Sequence, residues 1–217
     1  MWMTITRPDI SFSVCRLSQY MQNPLIIHWK SAKRILRYLS GTLDHGILYR
    51  GDVIDLHAFS ESDFVGDKRD RKSTSAFTTF IGEGVVSWLS KKQETISLSS
   101  TEAEYKALTT TTKELLWIKR LLMELKVMDL DAVPTIYNDN ISAQHLASNP
   151  IFHARSKHIE ISHHFVREKV QSREVSLEHV ASNDCVADIL TKPLQRPDFL
   201  KLISALGMIS KAMLSTN

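Results

Sequence analysis

The sequence is poor in cysteine and has no long apolar run, and each shortage excludes a class of protein. Only Cys15 and Cys185 occur among the 217 residues, so the chain lacks the disulfide framework that stabilises small secreted domains. No window reaches the roughly 18 consecutive apolar residues that a membrane-spanning helix needs, and the N-terminus lacks the regions of a signal peptide. With 43% hydrophobic and 24% charged residues, the composition predicts an intracellular globular protein without a membrane partner.

The positive charge is concentrated in the N-terminal segment. Residues 1–50 contain seven basic and two acidic side chains, a net charge of +5, whereas the other residues contain 20 basic and 22 acidic side chains. Four of the basic residues share one predicted helix: Lys30, Lys33, Arg34 and Arg37. This distribution indicates a nucleic-acid or other acidic partner for the first segment, and a solvated helix face is the alternative.

Apolar periodicity predicts a chain of alternating helices and strands. Helical spacing predicts helices at about 9–21, 28–40, 99–126, 141–148, 159–171, 183–191 and 197–207. Alternation and β-branched or aromatic content predict strands at about 53–60, 73–81, 84–90, 135–138 and 174–180. The glycines at 41, 46 and 51 mark a boundary, which divides the chain into a helical segment at 1–50, a central domain at 51–194 and a C-terminal helix and tail at 195–217.

The order of these elements predicts an α/β fold. Three consecutive strands without intervening helices form antiparallel pairs, whereas the later strands follow helices and therefore need crossover connections. The result is a mixed five-stranded sheet with helices packed on it. Such sheets collect functional side chains at the ends of their strands.

Four acidic residues stand at predicted strand ends or helix starts: Glu61, Glu104, Asp139 and Asp188. Converging carboxylates repel one another and are costly to bury unless cations neutralise them. A set of oxygen ligands suits Mg²⁺ or Mn²⁺, and a pair of such ions can activate water and stabilise the leaving oxygen in phosphodiester hydrolysis. The four acids therefore predict a two-metal nuclease site.

Each of these acids also has a structural explanation of its own. Glu104 follows Thr101 by three residues, which is the spacing of a capping box. Asp139 precedes a predicted helix and suits an N-cap, while Asp188 suits a surface position and Glu61 a loop. The prediction of a site depends on all four acids occurring in one topological order.

Eight short motifs stand along nearly the whole chain. They are 6–10 (TRPDI), 28–42 (HWKSAKRILRYLSGT), 71–75 (RKSTS), 87–93 (SWLSKKQ), 99–105 (SSTEAEY), 137–140 (YNDN), 155–160 (RSKHIE) and 187–194 (ADILTKPL). Together they resemble one family, the Pol polyproteins of copia-type LTR retrotransposons, over the end of the reverse transcriptase and the ribonuclease H domain.

The resemblance implies a ribonuclease H-like fold that cuts the RNA strand of RNA–DNA hybrids during reverse transcription. It implies Glu104, Asp139 and Asp188 as ligands of two Mg²⁺ or Mn²⁺ ions. It further implies that the chain is a C-terminal fragment of a longer polyprotein, whose reverse-transcriptase fingers and palm are partners. An intracellular particle or the nucleus is the expected location.

The first catalytic position departs from the pattern of this family. Relatives carry Asp there, whereas this chain has Glu61 in the segment 60–64 (SESDF). Asp63 lies on the same strand face, roughly 6–7 Å further along, so either residue suits the first ligand position. The longer side chain of Glu61 also supports the alternative of a catalytically impaired remnant that at most binds nucleic acid.

Further residues suit contacts with the phosphates of a hybrid, because such contacts need hydrogen-bond donors and positive charge rather than a base code. They are Arg71, Ser73, Lys91, Arg155 and Lys157, for which a solubilising surface is the alternative. Four histidines at 153, 158, 163 and 164, together with Cys185, raise the question of zinc. Their spacing matches no zinc finger, which favours histidines on a polar helix face.

Overall fold

The computed structural model describes residues 2–49, 54–67, 69–129, 131–148 and 157–214. The strands are β1 (His45–Ile47), β2 (Leu56–Asp63), β3 (Thr74–Ile81), β4 (Gly84–Lys92), β5 (Thr135–Asn138), β6 (Ser176–His179) and β7 (Met208–Ser210). The α-helices are α1 (Trp2–Thr6), α2 (Ser11–Ser18), α3 (Ile26–Ser40), α4 (Ser100–Glu124), α5 (Ile141–Ser148), α6 (Lys157–Gln171), α7 (Arg196–Ala205) and α8 (Lys211–Leu214). None of these helices is long and apolar enough to cross a membrane.

Five strands form a mixed sheet in the order β4-β3-β2-β5-β6. The central strand β2 pairs antiparallel with β3, which pairs antiparallel with β4. On its other side β2 pairs parallel with β5, and β5 pairs parallel with β6. The predicted α/β class is confirmed, as is the mixed five-stranded sheet flanked by helices.

The long helix α4 packs across one face of this sheet. Its buried Tyr105, Leu108 and Leu115 contact Leu56 and Ala58 of β2 within one hydrophobic cluster. The helix also carries several threonines on its buried side, and their hydroxyls donate to the carbonyl four residues earlier. Because those hydrogen bonds satisfy the hydroxyls, this polar stretch of α4 lies inside the protein without a large desolvation cost.

The opposite face of the sheet is covered by the segment after β6. Ala76 and Phe80 of β3 belong to a second buried cluster with Leu190 and, from the C-terminal segment, Leu206. The hydroxyl of Ser90 donates to the Leu190 carbonyl at 2.6 Å, which fixes this segment to β4. The two clusters leave the end of β2 between them, where the acidic residues lie.

The helix predicted at about 183–191 is wrong in type. The structure has two 3₁₀ helices there, Ser182–Asp184 and Val186–Leu190. Cys185 separates them with an extended backbone at φ −72° and ψ 102°. A single extended residue interrupts the α-helical hydrogen bonds, and apolar spacing over so few residues does not reveal the interruption.

A second, two-stranded sheet was not predicted from the sequence. In this sheet β1 pairs antiparallel with β7, with Gly46 opposite Ile209. Strands of three residues are too short to show alternation. The pairing joins the segment at 1–50 to the segment at 195–217, and the boundary predicted at 50/51 lies outside the described residues. The division into three units stays a prediction.

Candidate active site

Glu61 occupies the open end of the central strand. It lies in β2 opposite Ala76 of β3 and is 6% exposed, so the loop position considered for it is excluded. Beyond Tyr137 the parallel neighbour β5 no longer pairs with β2. The side chain of Glu61 therefore projects at a point where β2 is paired with β3 but no longer with β5. Its Oε2 has no hydrogen-bond partner among the described residues.

Glu104 reaches the same place from the second turn of α4. The helix cap is made by Ser99, whose Oγ accepts from the N–H of Glu102 at 3.1 Å. Glu104 consequently takes no part in the capping box considered for it. Its carboxylate instead accepts from the N–H of Ser62 and from Nδ2 of Asn138, both at 3.1 Å.

Asp139 follows the last residue of β5. The cap of α5 is made by Asn140, whose Oδ1 accepts from the N–H of Ala143 at 2.9 Å. Asp139 is therefore not needed as an N-cap. One of its carboxylate oxygens accepts a hydrogen bond from the hydroxyl of Ser182, which links β5 to the segment after β6.

Asp188 lies in the 3₁₀ helix at Val186–Leu190 and is 6% exposed, so it is not the surface acid that the alternative required. Its Oδ2 pairs with Nζ of Lys192 at 2.8 Å, one turn later. Its Oδ1 is buried and has no partner among the described residues.

The four acids converge in two overlapping groups that share Glu61. Ligand atoms of Glu61, Glu104 and Asp139 all lie within 4.8 Å of one another. The same limit holds for the group of Glu61, Cys185 and Asp188. We call these four acids, Glu61, Glu104, Asp139 and Asp188, the acid cluster.

Burial and mutual repulsion keep protons on the acid cluster. Burial, and then the charges of Glu104 and Asp139, raise the pKa of Glu61 to about 10. Burial likewise raises the pKa of Glu104 to about 8, against the hydrogen bonds from Asn138 and Ser62. Burial raises the pKa of Asp188 as well, although Lys192 opposes it. The cluster has the ligand atoms to hold a divalent cation, and a cation would remove the repulsion that holds the protons.

Asp63 lies outside the acid cluster. Its carboxylate accepts a hydrogen bond from the N–H of Thr74 and packs against Gly66, where an added Cβ would collide with it. Burial raises the pKa of Asp63 to about 6. Of the two residues considered for the first ligand position, the structure brings Glu61 to the other acids.

Gln93 supports the acid cluster from behind and was missed by the sequence analysis. Its Nε2 lies 3.2 Å from the hydroxyl of Ser62, 2.8 Å from that of Ser75 and 3.0 Å from the carbonyl of Ala103. Its Oε1 accepts from Ser97 at 2.7 Å. One buried amide thus connects β2, β3 and the start of α4, and so fixes the distance between Glu61 and Glu104. Gln93 is the last residue of the motif at 87–93, but that motif gave no signal for this structural role.

Gln93→Leu should destabilise the fold by about 3 kcal/mol, because it leaves several buried polar groups without a partner. Urea unfolding measures the loss. Gln171→Leu, at an exposed position on α6, is the matched control and should cost less than about 0.5 kcal/mol. Equal losses for the two variants would show that the Gln93 network contributes nothing.

The residues predicted to touch phosphates are divided between surface and interior. Arg71 and Lys91 are exposed, as are the four basic residues of α3. Ser73 is fully buried, and its hydroxyl accepts from the N–H of Val65 at 3.1 Å. The prediction for Ser73 is corrected, since a hydroxyl without exposed surface cannot reach a phosphate. Arg155 and the side chain of Lys157 lie outside the described residues.

No family model matches the chain, whereas individual proteins do. It is 47% identical over 209 residues to the retrovirus-related Pol polyprotein from transposon RE2 of Arabidopsis thaliana, covering 96% of this chain. It is 38% identical over 208 residues to the corresponding polyprotein from transposon TNT 1-94 of Nicotiana tabacum, again covering 96% of this chain. The chain spans only 14% and 16% of the lengths of these two relatives.

Among solved structures, the chain is similar to LC11-RNase H1, a protein isolated from compost by a metagenomic approach. The sequence identity is 12%, and the TM-score is 0.49. The match covers 64% of this chain and 94% of the other.

Proposed function

Because the chain belongs to the family of retrovirus-related Pol polyproteins of copia-type transposons, we propose that it hydrolyses the RNA strand of RNA–DNA hybrids during reverse transcription. The reaction depends on divalent metal ions, Mg²⁺ or Mn²⁺. The observation that carries the proposal is the acid cluster, in which three acids from three separate elements bring ligand atoms within 4.8 Å of one another.

The residues of the acid cluster fit a pair of divalent ions. The cluster supplies oxygen ligands, as Mg²⁺ and Mn²⁺ prefer. Two of its buried oxygens, Glu61 Oε2 and Asp188 Oδ1, have no hydrogen-bond partner in the described part of the chain. Glu61, Glu104, Asp139 and Asp188 would hold the ions, which supply an activated water and stabilise the leaving oxygen.

Other residues of the chain orient this donor set. Ser62 and Asn138 hold one oxygen of Glu104 each, so the carboxylate keeps a fixed direction. Nζ of Lys192 pairs with Asp188 and is partly exposed, which places a positive charge beside the cluster. In the proposed reaction this charge attracts the phosphate of the hybrid and limits the repulsion between the substrate and the acids.

The proposal predicts that stability and metal binding are linked through pH. Glu61 and Glu104 have raised pKa values, about 10 and about 8, so the folded chain binds more protons than the unfolded chain over the range above about pH 5. Without metal, the melting temperature should therefore fall as the pH rises from about 6 to 9. Mg²⁺ should remove most of this fall, because it replaces the protons.

Melting curves in EDTA and in Mg²⁺ measure this effect. Glu61→Gln, which keeps the size of the side chain and loses the charge, should flatten the pH dependence in EDTA. A melting temperature in EDTA that rises over the same pH range, or one that Mg²⁺ leaves unchanged at high pH, would contradict the metal-binding role of the cluster.

We also propose that the basic face of α3, formed by Lys30, Lys33, Arg34 and Arg37, binds the phosphates of the nucleic acid. All four side chains are exposed, and the helix has no buried residue. Deleting residues 1–50 would not test this binding surface alone. It would also remove Arg16, which pairs with the buried Asp67, and Thr4, whose carbonyl accepts from the indole of Trp88. Point substitutions leave those contacts intact.

Changing the four basic residues of α3 to Gln should reduce the slope of log K against log salt. Each phosphate contact contributes about −0.9 to that slope on duplex DNA, so the full set contributes up to about 3 to 4. Binding is measured at several salt concentrations without divalent metal. The control changes two exposed basic residues near the far end of α4, Arg120 and Lys126. If the substitutions on α3 and the control substitutions reduced the salt slope equally, the basic face of α3 would not be the binding surface.

A second candidate function is nucleic-acid binding without efficient cleavage, as in a catalytically impaired remnant. The observation that favours it is Glu61, one methylene longer than the Asp at this position in the resembling family. A hybrid-cleavage assay separates the two functions: cleavage by the parent chain, even slow cleavage that Glu61→Asp accelerates, supports the nuclease, and no cleavage by either chain supports binding alone.

A further inference from the structure

A large groove beside the acid cluster takes no part in the proposed reaction. It lies between the helices α2 and α3 on one side and the segment that leads into α7 on the other, and its volume is about 830 Å³. Lys192, whose Nζ pairs with Asp188 of the acid cluster at 2.8 Å, is one of the residues that line it. This groove, which we call the α3–α7 groove, therefore adjoins the proposed nuclease site.

The charge that lines the α3–α7 groove is positive. Four cationic side chains line it: Arg16, Arg34, Lys192 and Arg196. Asp9 is the single acid among the described lining residues. Its carboxylate is already engaged, because it accepts from two nitrogens of Arg7 at 3.0 and 2.7 Å and from the hydroxyl of Tyr38 at 2.6 Å. The groove therefore favours an anionic occupant.

Two of the four cations have no partner of their own. Arg16 pairs with Asp67 at 3.2 Å, and Lys192 pairs with the acid cluster. The guanidinium groups of Arg34 on α3 and Arg196 at the start of α7 are exposed, and neither forms a hydrogen bond or ion pair with another residue that the structure describes. An occupant of the groove thus meets one free guanidinium group from each wall, and guanidinium groups bind phosphate well.

Aromatic rings form part of the same surface. Tyr38 of α3 and Phe199 of α7 meet edge to face, with their ring centroids 5.9 Å apart. The ring of Tyr20 is covered by that of His28, with 3.8 Å between the centroids. Phe12 of α2 is partly exposed, lines the groove and has no ring contact with another residue of the described ranges. Phe12 is therefore the ring that remains for an occupant.

We propose that the α3–α7 groove binds single-stranded nucleic acid, with phosphates at Arg34 and Arg196 and a base stacked on Phe12. Stacking on a protein ring needs an unpaired base, because neighbouring base pairs cover the faces of bases in a duplex. An acidic peptide would match the charge of the groove but not its rings. The further step, that the bound strand continues from a hybrid at the acid cluster, rests on the proposed function, whereas binding to the groove does not.

Fluorescence anisotropy of a short labelled oligothymidylate with the full chain in EDTA tests the proposal without cleavage. Phe12→Leu keeps the apolar bulk and loses the ring, so it should weaken binding at least about fivefold, and Phe12→Tyr should bind as the parent does. A duplex of the same length is the second ligand. Its bases are paired, so Phe12→Leu should leave its affinity unchanged. Lys30, Lys33 and Arg37 do not line the groove and stay available to the duplex.

Arg34→Gln/Arg196→Gln removes both unpaired charges. The slope of log K against log salt for the oligothymidylate should fall by about 1.4, since each phosphate contact contributes about 0.7 on single strands. Arg120→Gln/Lys126→Gln makes the same change of charge at exposed positions near the far end of α4 and should leave the slope unchanged. Both groove arginines are exposed, so this variant tests the proposal independently of any folding defect in Phe12→Leu.

The proposal is overturned if Phe12→Leu weakens the duplex as much as the oligothymidylate, or if the arginine variant changes the slope no more than its control. Two competitors identify other occupants. Displacement of the oligothymidylate by an equal concentration of thymidine monophosphate would make the groove a site for a free nucleotide. Equally effective displacement by polyglutamate would make it a site for an acidic peptide. Either result would overturn the proposal, and displacement by unlabelled oligothymidylate alone supports it.

Discussion

Glu61→Asp should accelerate cleavage of an RNA–DNA hybrid about 100-fold, since a misplacement of about 1 Å at a reacting centre costs that much in rate. The backbone at this position is fixed by the register of β2 with β3, which places Glu61 opposite Ala76. Ligand atoms of Glu61 lie within 4.8 Å of those of Cys185 and Asp188 as well as of Glu104 and Asp139. Mg²⁺ requires nearly ideal octahedral geometry, so the shorter side chain of Asp should bind the ion better. Single-turnover cleavage in Mg²⁺ measures the gain.

Asp63→Asn is the matched control for this gain. It changes an acid on the same strand, and its carboxylate is already engaged with the N–H of Thr74 outside the acid cluster. The rate should change little. If Glu61→Asp gave no gain and Asp63→Asn destroyed activity, Asp63 would be the first ligand and the assignment of this segment would be wrong by two residues.

Asp139→Asn should reduce cleavage by at least about 1,000-fold, since a bound ion contributes several kcal/mol to the transition state. Asn keeps the shape of the side chain and its bond with Ser182, but it removes the charge that attracts the ion. Asp129→Asn makes the same chemical change at an exposed site and should have no effect. A rate for Asp139→Asn equal to that of the parent would remove Asp139 from the catalytic set.

Much of the fold was predictable because its elements are long enough to show their periodicity. Strand β5 at Thr135–Asn138 and helix α5 at Ile141–Ser148 were predicted with their observed bounds. The convergence of Glu104 and Asp139 followed from their positions at a helix start and a strand end. Both positions are set by topology, which the order of elements determines.

Other features depend on tertiary contacts that leave no local pattern. The pairing of β1 with β7 joins segments about 160 residues apart through backbone hydrogen bonds. The sequence analysis considered Cys185 with histidines, because Glu61, whose carboxylate lies near its sulfur, is 124 residues away in the sequence. Of those histidines, His164 is exposed on α6, and the side chains of the other three lie outside the described residues. Gln93 connects three elements because β2, β3 and the start of α4 all meet around its side-chain amide.

The central claim is that the acid cluster holds the divalent ions that hydrolyse RNA in a hybrid. The most direct test is cleavage of a hybrid, labelled on each strand in turn, by the parent chain, Glu61→Asp and Glu61→Asp/Asp139→Asn, in Mg²⁺, in Mn²⁺ and in EDTA. The account predicts that the RNA strand alone is cut, only with a divalent ion, fastest by Glu61→Asp and not by the double variant. Cleavage that persists in EDTA or in the double variant, or no cleavage by Glu61→Asp in either metal, would contradict it.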